Sequence, residues 1–225
     1  MANEILTGIV GSTAYGLAHE NSDVDRLGVF ITPTAEFLKL RGGYSERKSI
    51  VTTNPDKTLH EVGKFLKLVL NGNPTVSELL WLDSYEVHTN SGLAFVDKAH
   101  EFLSQRIRNT YGGYAMQQLK ALEQRGDFGS DLKKRQEKHG RHCSRLLIQG
   151  QDALENYGIR VKLSQDEVGF CREMGQLAVN DVEKFSAEMN RLFKKLDNTV
   201  SLLPQEPNWG LAEVMLLDLR RANYA

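Results

Sequence analysis

The sequence predicts an α+β protein, a small mixed β-sheet with flanking helices followed by a helical C-terminal half. Three observations carry this. Ile5–Val10 and Val24–Ile31 are apolar runs of strand length. Leu59, Val62, Phe65, Leu66, Val69 and Leu70 recur on one helical stripe. After about Gly92 the pattern becomes almost wholly helical, broken at Gly126–Gly129, Gly158 and Pro204–Pro207.

Taken in order, Ile5–Val10 reads as a buried strand ending at Gly11, and Ser12–Gly16 as a small turn. Glu20–Asp23 is a polar loop. Pro33 stops the second strand. Residues 34–40 suit one or two helical turns, and Arg41-Gly42-Gly43 a loop. Lys48–Thr53 is a third strand and Asn54-Pro55-Asp56 a turn after it. The helical stripe spans Thr58–Asn71 and is broken by Asn71-Gly72-Asn73-Pro74. A short helix over Val76–Leu82 and a strand over Tyr85–His88 follow. Further helices are expected at 93–108, 110–125, 130–157, 164–178, 180–200 and 208–222, with a kink at Gly112-Gly113 and Ser130 or Asp131 as an N-cap. The expected division is an α/β core over 1–92 and a helical region over 93–225 packed on it.

The chain has 225 residues, enough for one domain or two small ones sharing a core. Its formal net charge is −1, so no global basic field exists to hold a nucleic acid duplex, although local basic patches can. Two cysteines, Cys143 and Cys171, are too few for a disulfide scaffold and read as buried thiols of a cytoplasmic protein. No apolar run reaches the roughly 20 residues of a membrane span, and Met1–Glu4 does not begin a signal peptide.

The chemistry concentrates in Gly11-Ser12-Thr13-Ala14-Tyr15-Gly16 and Ser22-Asp23-Val24-Asp25. Gly11 and Gly16 permit close backbone approach. Ser12 offers a hydroxyl and a backbone N–H at a turn after a strand, which suits phosphate. Asp23 and Asp25 are two apart at the start of the second strand, and a period of two puts both carboxylates on one face. Like charges held close need neutralising. Mg²⁺, or Mn²⁺, does so while binding substrate phosphate oxygens. A phosphate cradle beside paired carboxylates is what nucleotidyl transfer requires. Alone, either half is ordinary: a Gly-Ser turn, or a solvated Asp-x-Asp loop.

These residues resemble the signature of the DNA polymerase β nucleotidyltransferase superfamily. The longer form, GSTAYG with SDVDRLGVF, resembles its RlaP-like branch of RNA-ligase-associated predicted nucleotidyltransferases. Asp56–Glu61, Lys64–Leu68, Gly72–Val76 and Glu78–Leu80 follow the branch's order, and Lys138–Leu147 is a weaker block. The blocks span roughly residues 5–160. The resemblance implies a metal site at the sheet edge and a third carboxylate on a neighbouring strand. Asp56 is the first candidate and Glu61 the second; the competing readings are turn chemistry for Asp56 and a solvated first-turn acid for Glu61. It also implies a bacterial or phage source and a functional link to an RNA ligase.

The expected reaction moves an NMP from an NTP such as ATP to an acceptor hydroxyl and releases pyrophosphate. Asp23, Asp25 and Asp56 hold the metal, Asp56 also serves as base, and Gly11 and Ser12 position the β- and γ-phosphates. Lys64 can reach the triphosphate or face solvent. Lys134, Lys138, Arg141 and Arg145 share one helical face, either a solvated surface or a contact for triphosphate or RNA. Lys138 and His142 are the nucleotide or acceptor contacts expected there. Tyr15 either packs on the turn or stacks on a base. His60 and His88 read as structural, and Trp81 and Trp209 as core. The acceptor is an RNA end, a protein side chain or a small molecule. The alternatives are a non-catalytic nucleotide-, RNA- or partner-binding module of the same fold, and a purely helical interaction protein.

Overall fold

The computed structural model describes residues 3–20, 22–40, 48–123 and 130–225, without the side chains of Glu123, Ser130 and Asp131. The Arg41-Gly42-Gly43 loop, the Gly126–Gly129 break and the proposed Ser130 or Asp131 cap lie outside what is described. The fold is mixed α+β. Two compact units form, Met1–Ser104 with Glu206–Ala225, and Gln105–Gln205.

In the first unit, β1 (Asn3–Ile9), β2 (Arg26–Ile31), β3 (Ser49–Thr53), β4 (Asp56–Glu61) and β5 (Val87–His88) form one sheet in the order β3-β4-β2-β1-β5. β1 runs antiparallel to β2 and β5, β3 runs antiparallel to β4, and β2 and β4 are parallel. α1 (Gly11–Tyr15) connects β1 to β2, and α2 (Thr34–Phe37) follows β2.

The expected helix from Thr58 is corrected: Thr58–Glu61 are strand, and α3 spans Val62–Leu70. Leu59 falls on the helical stripe in sequence yet is a buried ladder residue. Glu61 makes the switch. Its side chain accepts the Gly63 N–H at 2.8 Å and caps α3. A helix this short is marginal alone. Burial of Val62, Phe65, Leu66, Val69 and Leu70 stabilises it, at about 1.5–3 kcal/mol per large side chain. α4 (Pro74–Ser77) starts on Asn73, whose Oδ1 accepts from the N–H groups of Thr75 and Val76, with Pro at the first helical position. A 3-10 turn over Glu78–Trp81 follows.

α5 (Asn90–Asp97) and a 3-10 turn over Ala99–Phe102 stand where one helix was expected. α6 (Arg106–Glu123), α7 (Ser130–Asn156), α8 (Gln165–Asn180) and α9 (Val182–Asn198) build the second unit. α6 runs through Gly112-Gly113. Ser164 and Glu167 form a capping box at α8. The buried side of α7, with Cys143, Leu146, Leu147 and Leu154, is the spine of this unit, and both cysteines are free and buried.

α10 (Trp209–Ala222) returns to the first unit. Ala212 and Leu219 join its core. Trp81 packs against that core, whereas Trp209 is 41% exposed, which corrects its expected core position. No described helix is long and apolar enough to cross a membrane.

Candidate active site

The ladder between β1 and β2 delivers both halves of the motif to one place. Ile9 pairs with Arg26, and one residue further the Val10 N–H donates to the Asp25 carbonyl at 3.0 Å. Gly11 follows at φ 70°, a left-handed conformation that an L side chain disfavours. Space imposes the same choice, because a Cβ on Gly11 would lie 2.4 Å from Asp25 Oδ2. The Asp25 carboxylate rests against the bare backbone of the Gly-Ser turn.

The turn itself is held from within and below. The N–H groups of Leu17 and Ala18 donate to the Ser12 carbonyl at 2.9 and 3.0 Å. Tyr15 is buried, and its hydroxyl donates to Glu78 Oε2 at 2.6 Å. Packing on the turn, rather than base stacking, is therefore its role. Ser12 is half-buried.

β2 begins at Arg26, so Asp23 and Asp25 precede the strand instead of occupying its first residues. The place of Asp25 against the turn is set in the loop before β2. Asp23 is exposed and Asp25 half-buried. Arg26, which sequence reasoning did not single out, helps shape that loop. Its Nη1 donates to the Val24 carbonyl at 3.4 Å, and its Nε pairs with Glu86 at 2.8 Å. The only signal for it was its position directly after Asp-x-Asp.

Asp56 is not part of the turn after β3. It opens β4, exposed and paired with Thr53 in the β3–β4 hairpin. The parallel register Arg26↔Lys57 puts it at the same end of the sheet as Asp25. Among the described residues, no three His, Cys, Asp or Glu side chains form a ready-made metal cluster. Asp25 against Gly11 and the exposed Asp23 nonetheless supply the carboxylate oxygens that Mg²⁺ takes beside phosphate, so the residues present fit such an ion.

Glu61 stands at the other end of β4 and is fully buried. Its oxygens are committed to Arg220 at 2.7 and 2.9 Å and to the α3 cap. Its role is structural. Lys64 also lies toward that end: its ammonium donates to Ser49 Oγ at 2.6 Å, and Ser49 Oγ meets His60 Nδ1 at 2.8 Å. His60 is four ladder residues from Asp56, about 13 Å at strand rise.

The remaining predicted contacts belong to the second unit. Lys138 is exposed on α7. His142 is half-buried, and its Nδ1 accepts from Arg145 Nη2 at 3.1 Å. Arg145 is 1% exposed and donates to Gln149, so its expected place on a surface basic row is corrected. Arg141 lies 3.9 Å from Glu137.

Two histidines give stability a pH dependence. Burial, then Lys64, lowers His60 from 6.5 to about 4. Burial, then Arg145, lowers His142 from 6.5 to about 3. Below pH 6.5 the unfolded chain binds protons that the folded chain refuses, so stability present above 6.5 is lost as pH falls toward 4 and 3. Glu167, lowered to about 2 by its hydrogen bonds from Arg160, stays charged across that window. Between pH 7 and 5 the melting temperature should fall, because His60 and His142 take up protons only on unfolding. His60→Gln and His142→Gln should each reduce the fall; an unchanged fall in both variants would refute the assignment.

Comparison with protein families gives the decisive match. Residues 3–168 match RlaP, the RNA repair pathway DNA polymerase beta family. The chain belongs to the RlaP family. The match takes in the Gly-Ser turn, Asp-x-Asp and β4 of the first unit, and continues through α7 into the start of α8. No curated protein matches the chain. RlaP membership ties the chain to the polymerase-beta-like group and to RNA repair.

Proposed function

We propose that this RlaP chain is a metal-dependent nucleotidyltransferase acting in RNA repair. An acceptor hydroxyl attacks the α-phosphorus of an NTP, the bond from that phosphorus to the bridging oxygen breaks, and pyrophosphate leaves. Asp23 and Asp25 hold Mg²⁺ or Mn²⁺, with Asp56 as the third carboxylate. The bound ion supplies positive charge at the phosphoryl oxygens. Gly11 and Ser12 receive the β- and γ-phosphates, and Asp56 takes the acceptor's proton. The observation that carries the reading is the Asp25 carboxylate seated on the Gly11 backbone. It supports the reading because it brings the Gly-Ser turn and a carboxylate of Asp-x-Asp together. Family membership favours an RNA end as acceptor.

The test is thermal shift with each of the four NTPs, with and without Mg²⁺, on wild type and on Asp23→Ala/Asp25→Ala. At a ligand concentration of about 100 times Kd, binding stabilises by about 2.7 kcal/mol. A Mg²⁺-dependent rise is expected in wild type and its loss in the variant. An equal rise in the variant refutes the site. Binding without transfer to RNA, protein or small-molecule acceptors would make the protein a nucleotide-binding module.

A further inference from the structure

We propose that the first half of α7 grips the phosphate backbone of single-stranded RNA through Lys133, Lys134, Arg135 and Lys138. The inference rests on the RNA-end reading of the acceptor and gives it a binding surface. All four side chains are exposed. They span five helical steps, about 7.5 Å of rise, in a chain whose net charge is −1. The concentration is therefore local and does not reflect a basic protein.

A solvated helix surface is the competing explanation, and the density of cations separates the two. Elsewhere in the same unit the exposed cations either sit within 3.3 Å of a carboxylate, as Arg160, Lys184 and Arg191 do, or stand singly or in twos, as Lys162 and Lys194 with Lys195 do. Among the described residues, no ion pair engages Lys133, Lys134, Arg135 or Lys138. Glu137, the acid within the stretch, is turned to Arg141. The helix is also a firm support. A Cβ on Gly140 would lie 2.7 Å from Ala178 Cβ, and one on Gly150 would lie 2.8 Å from Tyr111 Cβ, so α7 is set tightly between its neighbours just beyond the basic stretch. Phosphate is the group these cations suit, because backbone contacts need charge and reach without base reading.

The experiment is fluorescence anisotropy with a labelled single-stranded RNA of mixed sequence, without NTP, from 50 to 200 mM salt. Wild type is compared with Lys133→Ala/Lys134→Ala/Arg135→Ala/Lys138→Ala. Four phosphate contacts give a slope of about −3 in log K against log salt, a loss of about 50-fold over that range. The variant should lose most of the slope while keeping the wild-type circular dichroism. Unchanged affinity and slope in the variant would overturn the proposal, as would absence of RNA binding at 50 mM salt. Competition by polyglutamate equal to that by RNA would also overturn it and point to an acidic protein. An NTP shift without RNA binding would refute this surface and spare the transfer site. RNA binding without an NTP shift would do the reverse.

Discussion

Asp25→Asn is expected to lower nucleotidyl transfer by about 10³-fold while leaving the melting temperature close to wild type. The substitution keeps the shape of the side chain that rests on Gly11 and removes the charge proposed to hold a cation. Metal stabilisation of phosphoryl transfer amounts to several kcal/mol, and about 4 kcal/mol corresponds to three factors of ten. Gly11→Ala attacks the same contact from the other side. Its Cβ would meet Asp25 Oδ2 at 2.4 Å, on a backbone at φ 70°. The left-handed conformation alone costs about 1–2 kcal/mol for an L residue, and the carboxylate must move. Gly11→Ala should therefore lose both stability and transfer, whereas Asp25→Asn loses transfer alone. Steady-state transfer from radiolabelled NTP, read beside thermal melts, checks both. Near-normal transfer in Asp25→Asn would remove the carboxylate from the reaction.

The contrast shows what was legible in the sequence. The Gly-Ser turn and Asp-x-Asp are local features, and the pairing of β1, which leads into the first, with β2, which follows the second, fixes where they meet. Asp56 was picked out by type and order as a turn residue, whereas it opens β4. Leu59, Val62, Phe65 and Leu66 fit a helical period, so the switch from β4 to α3 at Glu61 left little trace in hydrophobic spacing. Its N-cap is a Glu, which is not among the usual capping residues. Arg145 carried the opposite error. An arginine four residues after Arg141 reads as surface; its partners His142 and Gln149 are neighbours on the same helix, and only tertiary packing buries the group. The return of α10 to the first unit depends on contacts remote in sequence, which no local pattern reports.

Arg220→Ala should be the most damaging substitution for stability, and it lies outside the stretch that matches the family. Its guanidinium forms a bidentate pair with Glu61 at 2.7 and 2.9 Å, donates to the Thr32 carbonyl, and stacks 4.4 Å from the Phe37 ring centroid. The backbone around it is tied as well, with Thr34 Oγ1 donating to the Arg220 carbonyl at 2.6 Å. Glu61 is wholly buried, so removing Arg220 strands a charge in the core. Breaking one partner of such a pair costs about 3–5 kcal/mol, or roughly 6–20 °C of melting temperature at 2–4 °C per kcal/mol. Arg220→Lys keeps the charge but loses the fork and the stack, so an intermediate loss is expected. Glu61→Gln/Arg220→Met removes both charges and should melt well above Arg220→Ala. If the double variant is as unstable as the single one, the cost lies in packing rather than in an uncompensated carboxylate. The consequence reaches the candidate site through β4: the strand that ends at Glu61 begins at Asp56. α10 thus fastens one end of the strand whose other end carries the proposed third carboxylate, and weakening the first should loosen the second before the sheet itself unfolds.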